Sequence, residues 1–200
     1  QRVHYSEDHL AFANLVRDFA AKEVAPHIVY WEHEGRIPRE VFARAGALGL
    51  LGFATAPEYG GLGTDDYRYN QILIEEFMDA DCGGVGLSFA VHNDICLPYL
   101  ADLTNDEQKQ RWLPGFVSGR LIAAIGMTEP GAGSDVAGIR TTAVDHGDHF
   151  LVNGAKTFIT NGQNADLVIT AVRTSPDRHH GLSLLVMERG LAGFERGRNL

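Results

Sequence analysis

The spacing of apolar residues changes once along this chain, near Gly119, and that change restricts its possible folds more than any other feature. Before it the period is helical. Phe12, Leu15, Val16, Phe19 and Ala20 fall at i, i+3, i+4, i+7 and i+8, one stripe of a helix that Ser6 can cap. Pro26 is expected to interrupt this helix and Gly35 to stop its continuation. A second helix is predicted from Pro38 at its first position, with Val41, Phe42, Ala45 and Leu48 inward. Residues 57–63, which include Pro57 and three glycines, read as an ordered loop. A third helix is predicted over 65–80, with Ile72, Leu73 and Phe77 as its core face. Another starts at Gly83, Gly84 and Gly86 and ends before Pro98. Thr104, Asn105, Asp106 and Glu107 form a capping-box pattern for a helix running through Trp112.

After Gly119 the runs have strand length: 121–127, 141–144, 167–172 and 182–187. Residues 150–152 are predicted to pair with 156–160 across Asn153-Gly154, a short-range hairpin signal. Helices first and strands afterwards define an α+β chain: an all-helical part over 1–119, then an antiparallel, barrel-like β part over 120–200. Too few strands are present to close a barrel and no stop signal appears at 197–200, so the β part is expected to continue past Leu200. The chain begins at Gln1 and not at Met, which leaves open a targeting segment upstream.

Charge excludes one class of partner. The formal charge is −9, and the 17 basic residues are scattered without a stripe, which argues against a nucleic-acid surface. The most apolar stretch, 43–57, is broken by Arg44 and three glycines, so it cannot span a membrane. Cys82 and Cys96 read as buried free thiols, consistent with a reducing compartment. The His179-His180 and His146/His149 pairs lie in turns without a metal-ligand set, so no metal is expected.

The candidate for chemistry is the stretch 126–138: Gly126, Met127, Thr128, Glu129, Pro130, Gly131, Ala132, Gly133, Ser134, Asp135, Val136, Ala137, Gly138. Its glycines let backbone N–H groups approach a ligand, and Thr128 and Ser134 add hydroxyls. That suits an anion or the electron-rich edge of a heterocycle. It is not a Rossmann fingerprint, because the third glycine is misplaced and the segment joins strands where that motif must open a helix. Glu129 and Asp135 are read as fixing the loop backbone, not as proton acceptors.

The run 127–135 (MTEPGAGSD) resembles, residue by residue, the signature loop of the acyl-CoA dehydrogenases. Residues 151–162 (LVNGAKTFITNG) are similar to the segment that follows it in that family, and 49–52 and 57–63 to its helical entry. Residues 88–95 and 193–198 look most like the long-chain and branched-chain members.

This resemblance implies FAD as cofactor and α,β-dehydrogenation of an acyl-CoA thioester. Ile125, Gly126, Met127, Thr128, Gly133 and Ser134 would line the flavin, together with Phe158, Ile159 and Thr160. Thr128 would meet the pyrimidine end, Thr160 would donate to N5, and Phe158 would pack on the ring where many relatives carry Trp. Ser134 would also touch the substrate, and Ala90 would border the acyl pocket. No catalytic residue is assigned here, since the family's glutamate base belongs to a C-terminal four-helix bundle expected beyond Leu200. An electron-transfer flavoprotein as acceptor and a homotetramer are implied as well. Two alternatives remain open at this point: an oxidase-like or monooxygenase relative, and a non-catalytic acyl-CoA-binding fragment.

Overall fold

The computed structural model describes residues 4–199, so the expectations that touch Gln1 and Leu200 lie outside the described residues. The chain divides into two compact units, 1–122 and 123–200.

In the first unit α1 (Glu7–Phe19) begins at Ser6, whose hydroxyl accepts from the His9 N–H while the His9 ring accepts from the Ser6 N–H. This reciprocal cap uses histidine in the place usually held by Glu or Gln. Past Phe19 the backbone widens into a π-turn (Ala20–Val24) and tightens into a 3-10 turn holding Pro26, then resumes as α2 (Ile28–Glu34). Gly35, at φ 63°, closes α2 in the left-handed conformation that glycine adopts without a Cβ clash.

Helix α3 (Arg39–Ala47) starts one residue later than predicted, because Pro38 is extended and occupies the cap. Val41, Phe42 and Ala45 face inward as expected, but Leu48 is 44% exposed. It follows the last helical residue, so the chain has left the helical path and Leu50 and Leu51 enter the core instead.

Helix α4 (Arg68–Asp79) buries Ile72, Leu73 and Phe77; its start is delayed by Asp66, whose side chain accepts from the Arg68 N–H. Helix α5 (Gly83–Ala90) runs into a π-turn (Val91–Cys96) and then α6 (Leu97–Asp102). Pro98 therefore does not end the helix. It sits in the first turn of α6, where its missing N–H costs little. Helix α7 (Asp106–Val117) is capped by Asn105 with Gln108, not by Thr104, whose hydroxyl is already committed to the Leu100 carbonyl at 2.6 Å. Phe77 and Phe42 meet Phe89 edge-on at 5.3 and 5.1 Å in the centre of this unit. His92 is fully buried and stacked on Phe116 at 3.6 Å, and burial holds its pKa down to about 4.

The second unit is built on β4 (Leu167–Arg173), buried along nearly all its length. On it pair β1 (Ala123–Gly126), parallel, and β5 (Leu182–Glu188), antiparallel. β2 (Thr142–Asp145) meets the end of β4 in parallel sense and pairs antiparallel with β3 (Phe150–Asn153). The chain is α+β, helices before sheet, but the sheet is mixed and not purely antiparallel. A strand buried on both faces satisfies its backbone equally with neighbours of either sense, so apolar periodicity alone cannot set direction.

The predicted pairing of 150–152 with 156–160 is not formed. β3 turns back on β2 through 146–149, where Gly147 takes φ 93° and its N–H bonds the Asp145 carboxylate at 2.7 Å. Gly154 serves close approach and not a hairpin: a Cβ there would stand 2.3 Å from the Thr141 hydroxyl.

Candidate functional site

Residues 156–160 leave the sheet and lie against the loop that follows β1. The Thr157 N–H bonds the Thr128 carbonyl at 2.9 Å, and Lys156 Nζ bonds the Met127 carbonyl at 3.0 Å. The two segments that the sequence singles out are thereby joined in one place.

Along the loop, Ile125 and Gly126 are the last residues of β1, with Gly126 opposite Thr170. Met127 points its side chain at a core cluster of Ala132, Ile139 and Ala171, so its backbone is what a ligand would meet. Glu129 and Ala132 exchange N–H···O bonds of 2.8 and 3.1 Å around Pro130-Gly131, a tight turn of the composition such turns favour. Gly133 and Ser134 follow it, exposed, and a Cβ on Gly131 or Gly133 would meet nothing within 4 Å. Across from them Ile159 packs on the Ala124, Ala165 and Val168 cluster, which anchors its neighbours Phe158 and Thr160.

Strain concentrates in this second segment. Three non-glycine residues among those described have positive φ, and two of them are Phe158 (56°) and Asn161 (66°), flanking Thr160. Each costs roughly 1 kcal/mol or more, held only where surrounding contacts over-determine the backbone. Asn161 meets that condition, with its side-chain amide on the Ala123 carbonyl at 3.2 Å and its own carbonyl bonded by the Ala165 N–H at 2.8 Å. Phe158 is held beside it and is 74% exposed, so its aromatic face is open to a flat ligand.

Glu129 closes the arrangement from below. Its Oε1 accepts from Lys156 Nζ (2.8 Å), the Thr141 N–H (2.9 Å) and the Thr141 hydroxyl (2.5 Å), and its Oε2 from the Arg140 N–H (2.8 Å). Burial pushes this carboxyl up, but Lys156, the Thr141 hydroxyl and the two backbone N–H groups outweigh it and hold the pKa at about 2. Glu129 thus stays ionised with its lone pairs occupied, an anchor and not a base. Asp135 differs from the expectation for it, for its carboxylate pairs with Arg178 at 2.9 Å on the surface.

The hydroxyls of Thr128, Ser134 and Thr160 make no hydrogen bond to other described residues, and neither do the N–H groups of Thr128, Gly133, Ser134 and Thr160. Donors without an internal partner, glycines with open space around them and an exposed aromatic, all carried on two joined segments, suit a flat heterocycle with acceptor atoms along its rim. Ala90 belongs to the helical unit, at the last position of α5 where the helix widens into its π-turn. Sequence reasoning missed Lys156 and Thr141, which carry the site's polar framework. The usable signal was a single lysine inside a run, 155–159, that is otherwise uncharged. No group of three or more His, Cys, Asp or Glu side chains that could hold a metal occurs among the described residues. No helix among them is long and apolar enough to cross a membrane.

Residues 6–120 match the acyl-CoA dehydrogenase N-terminal domain and residues 124–200 the middle domain of the same enzymes. The chain belongs to the acyl-CoA dehydrogenase family. It is 42% identical over 199 residues to the mitochondrial long-chain specific acyl-CoA dehydrogenase of Sus scrofa, covering 98% of this chain and 46% of that protein. The crystal structure of an acyl-CoA dehydrogenase from Geobacillus kaustophilus superposes with a TM-score of 0.94 at 47% identity, over 100% of this chain and 53% of that one. An acyl-CoA dehydrogenase of Bacillus anthracis, solved in complex with FAD, is similar at a TM-score of 0.84 and 33% identity, over 96% of this chain and 33% of that one. The chain spans about half the length of the curated relatives it matches.

Proposed function

We propose that the protein carrying this chain is an FAD-dependent oxidoreductase that dehydrogenates acyl-CoA thioesters between the α- and β-carbons, and that this chain supplies the flavin-ring site. The observation that carries the reading is the junction of the loop after β1 with residues 156–160, which brings together two segments bearing donors without an internal partner. The relative solved with FAD supports the choice of cofactor. Residues 1–119 and 120–200 are taken as separate domains, helical and β.

FAD, when bound, supplies the hydride acceptor at N5 and gathers negative charge at its pyrimidine edge. The chain's own residues do the rest by placement. The Thr128 N–H and hydroxyl would meet the pyrimidine edge, where a preformed donor is worth most as charge develops. Thr160 would donate toward N5, and the Phe158 ring would lie against the flavin and exclude water. Ile125, Gly126 and Met127 form the floor through their backbone, and Gly133 and Ser134 the rim, with the Ser134 hydroxyl reaching the acyl-CoA. Ala90 borders the acyl chain. The α-proton is removed by a carboxylate outside these 200 residues, so the geometry here governs hydride delivery and not proton abstraction. An electron-transfer flavoprotein takes up the electrons, the enzyme is a homotetramer, and it works in a reducing compartment, bacterial cytoplasm or mitochondrial matrix.

The test is a dye-coupled assay of the full-length protein on acyl-CoA substrates, with oxygen consumption followed in parallel. FAD-dependent dye reduction with little oxygen uptake is expected, and Thr160→Val should lower kcat roughly tenfold or more, as loss of a charge-stabilising donor does. Failure of the wild-type protein to bind FAD, or oxygen uptake in place of dye reduction, overturns the reading.

A further inference from the structure

A buried ion pair is costly unless its geometry is good and its remaining hydrogen-bonding capacity is filled. Lys156 and Glu129 meet both conditions, with side chains only 11% and 6% exposed and Nζ 2.8 Å from Oε1. An apolar pair of the same size would hold the loop to the sheet without that cost, so the pair calls for another explanation. The second bond of the ammonium provides it. Nζ donates to the Met127 carbonyl at 3.0 Å. A trans peptide is planar, with its C=O and N–H on opposite sides, so pinning the Met127 oxygen inward turns the Thr128 N–H outward. The next peptide is pinned too, since the Thr157 N–H holds the Thr128 carbonyl and the Ala132 carbonyl takes the Glu129 N–H. Of these groups, the Thr128 N–H alone has no acceptor among the described residues.

We propose that Lys156, itself fixed by Glu129, is a positioning residue that sets the Met127–Thr128 peptide so that the Thr128 N–H is a preformed donor to the pyrimidine edge of the flavin. This rests on the FAD reading given above. Gly126 lies beside the pair: a Cβ there would press on Val168 Cγ1 at 3.3 Å and make an ordinary contact with Lys156 Cγ at 3.4 Å.

The experiment compares wild-type full-length protein with Lys156→Met and Lys156→Arg. It reads the FAD dissociation constant by fluorescence titration, the visible flavin spectrum, and the flavin reduction potential by dye equilibration. Lys156→Met should weaken FAD about tenfold, the scale of one lost hydrogen bond near charge, with a shifted flavin band and a more negative potential. Lys156→Arg, which keeps a donor in reach of the carbonyl, should recover part of all three. Lys156→Arg also carries the test against wild type if Lys156→Met does not fold, since its larger head moves the donor and should shift the spectrum in the same direction by less. Wild-type protein that binds no FAD sinks the functional reading. Wild-type protein that binds FAD, with folded variants sharing its affinity, spectrum and potential, sinks the positioning role alone and leaves Lys156 as a structural anchor.

Discussion

Replacing Glu129 by Gln tests how the carboxylate holds the loop. Its pKa of about 2, against the ordinary 4.5, is a gap of roughly 2.5 units, and at 1.36 kcal/mol per unit this corresponds to about 3 kcal/mol of native-state stabilisation. A depressed pKa stabilises the folded form fully above the unfolded value. The contribution is therefore complete above about pH 4.5 and is lost as pH falls toward about 2. Glutamine keeps one acceptor for Lys156 and Thr141, but turns an N–H₂ on either the Arg140 N–H or the Thr141 donors; these are the bonds that depress the pKa, so their loss, roughly 1–3 kcal/mol, is part of that figure and is not added to it. The assay must report on the sheet unit, and both tryptophans, Trp31 and Trp112, lie in the helical one. Hydrogen exchange on peptides spanning 123–132 and 139–145 meets that need. The expected result is an opening free energy about 2–4 kcal/mol lower for Glu129→Gln at pH 7, with a gap to wild type that narrows steadily between about pH 4.5 and 2. A gap that is absent at pH 7, or constant from pH 7 to pH 3, refutes the argument, because neither pattern follows from an ionised anchor.

Gly119→Ala should destabilise the helical unit by roughly 3 kcal/mol or more, read by thermal melting: the new Cβ would stand 2.0 Å from the Phe42 carbonyl oxygen at a φ of 68°. Ala90 is small, so the full-length enzyme should favour long or branched acyl-CoA over butyryl-CoA. Ala90→Glu should cut kcat/KM most at sixteen carbons, each excluded CH₂ being worth about 0.8 kcal/mol. An optimum at four carbons, or an unchanged profile in the variant, removes that idea. The 200 residues alone should show no dehydrogenase activity, since the family's base is expected elsewhere; bleaching of bound flavin by acyl-CoA in stopped flow with this chain would contradict it.

What the residues determined unaided is the part of the structure set within a few positions of itself. Ser6 starts α1, Gly35 ends α2, and the stripe from Val16 to Ala20 and the Ile72, Leu73, Phe77 face find the core, because capping and amphipathic burial depend on neighbours three or four residues away. The loop 127–135 was legible for a related reason, as a contiguous run whose glycines and hydroxyls carry their chemistry in the chain itself. Tertiary structure alone decided the rest. Asn153-Gly154 is a sound local hairpin signal, yet the glycine is spent on close approach to Thr141, 13 residues back, and Lys156 turns inward to a carboxylate 27 residues back. The parallel pairing of β1 with β4 and the left-handed backbone at Phe158 have no local signature either. Strand partners, buried ion pairs and strained residues are fixed by contacts distant in sequence, whose free energy outweighs the fraction of a kilocalorie to a kilocalorie that a turn or propensity preference contributes.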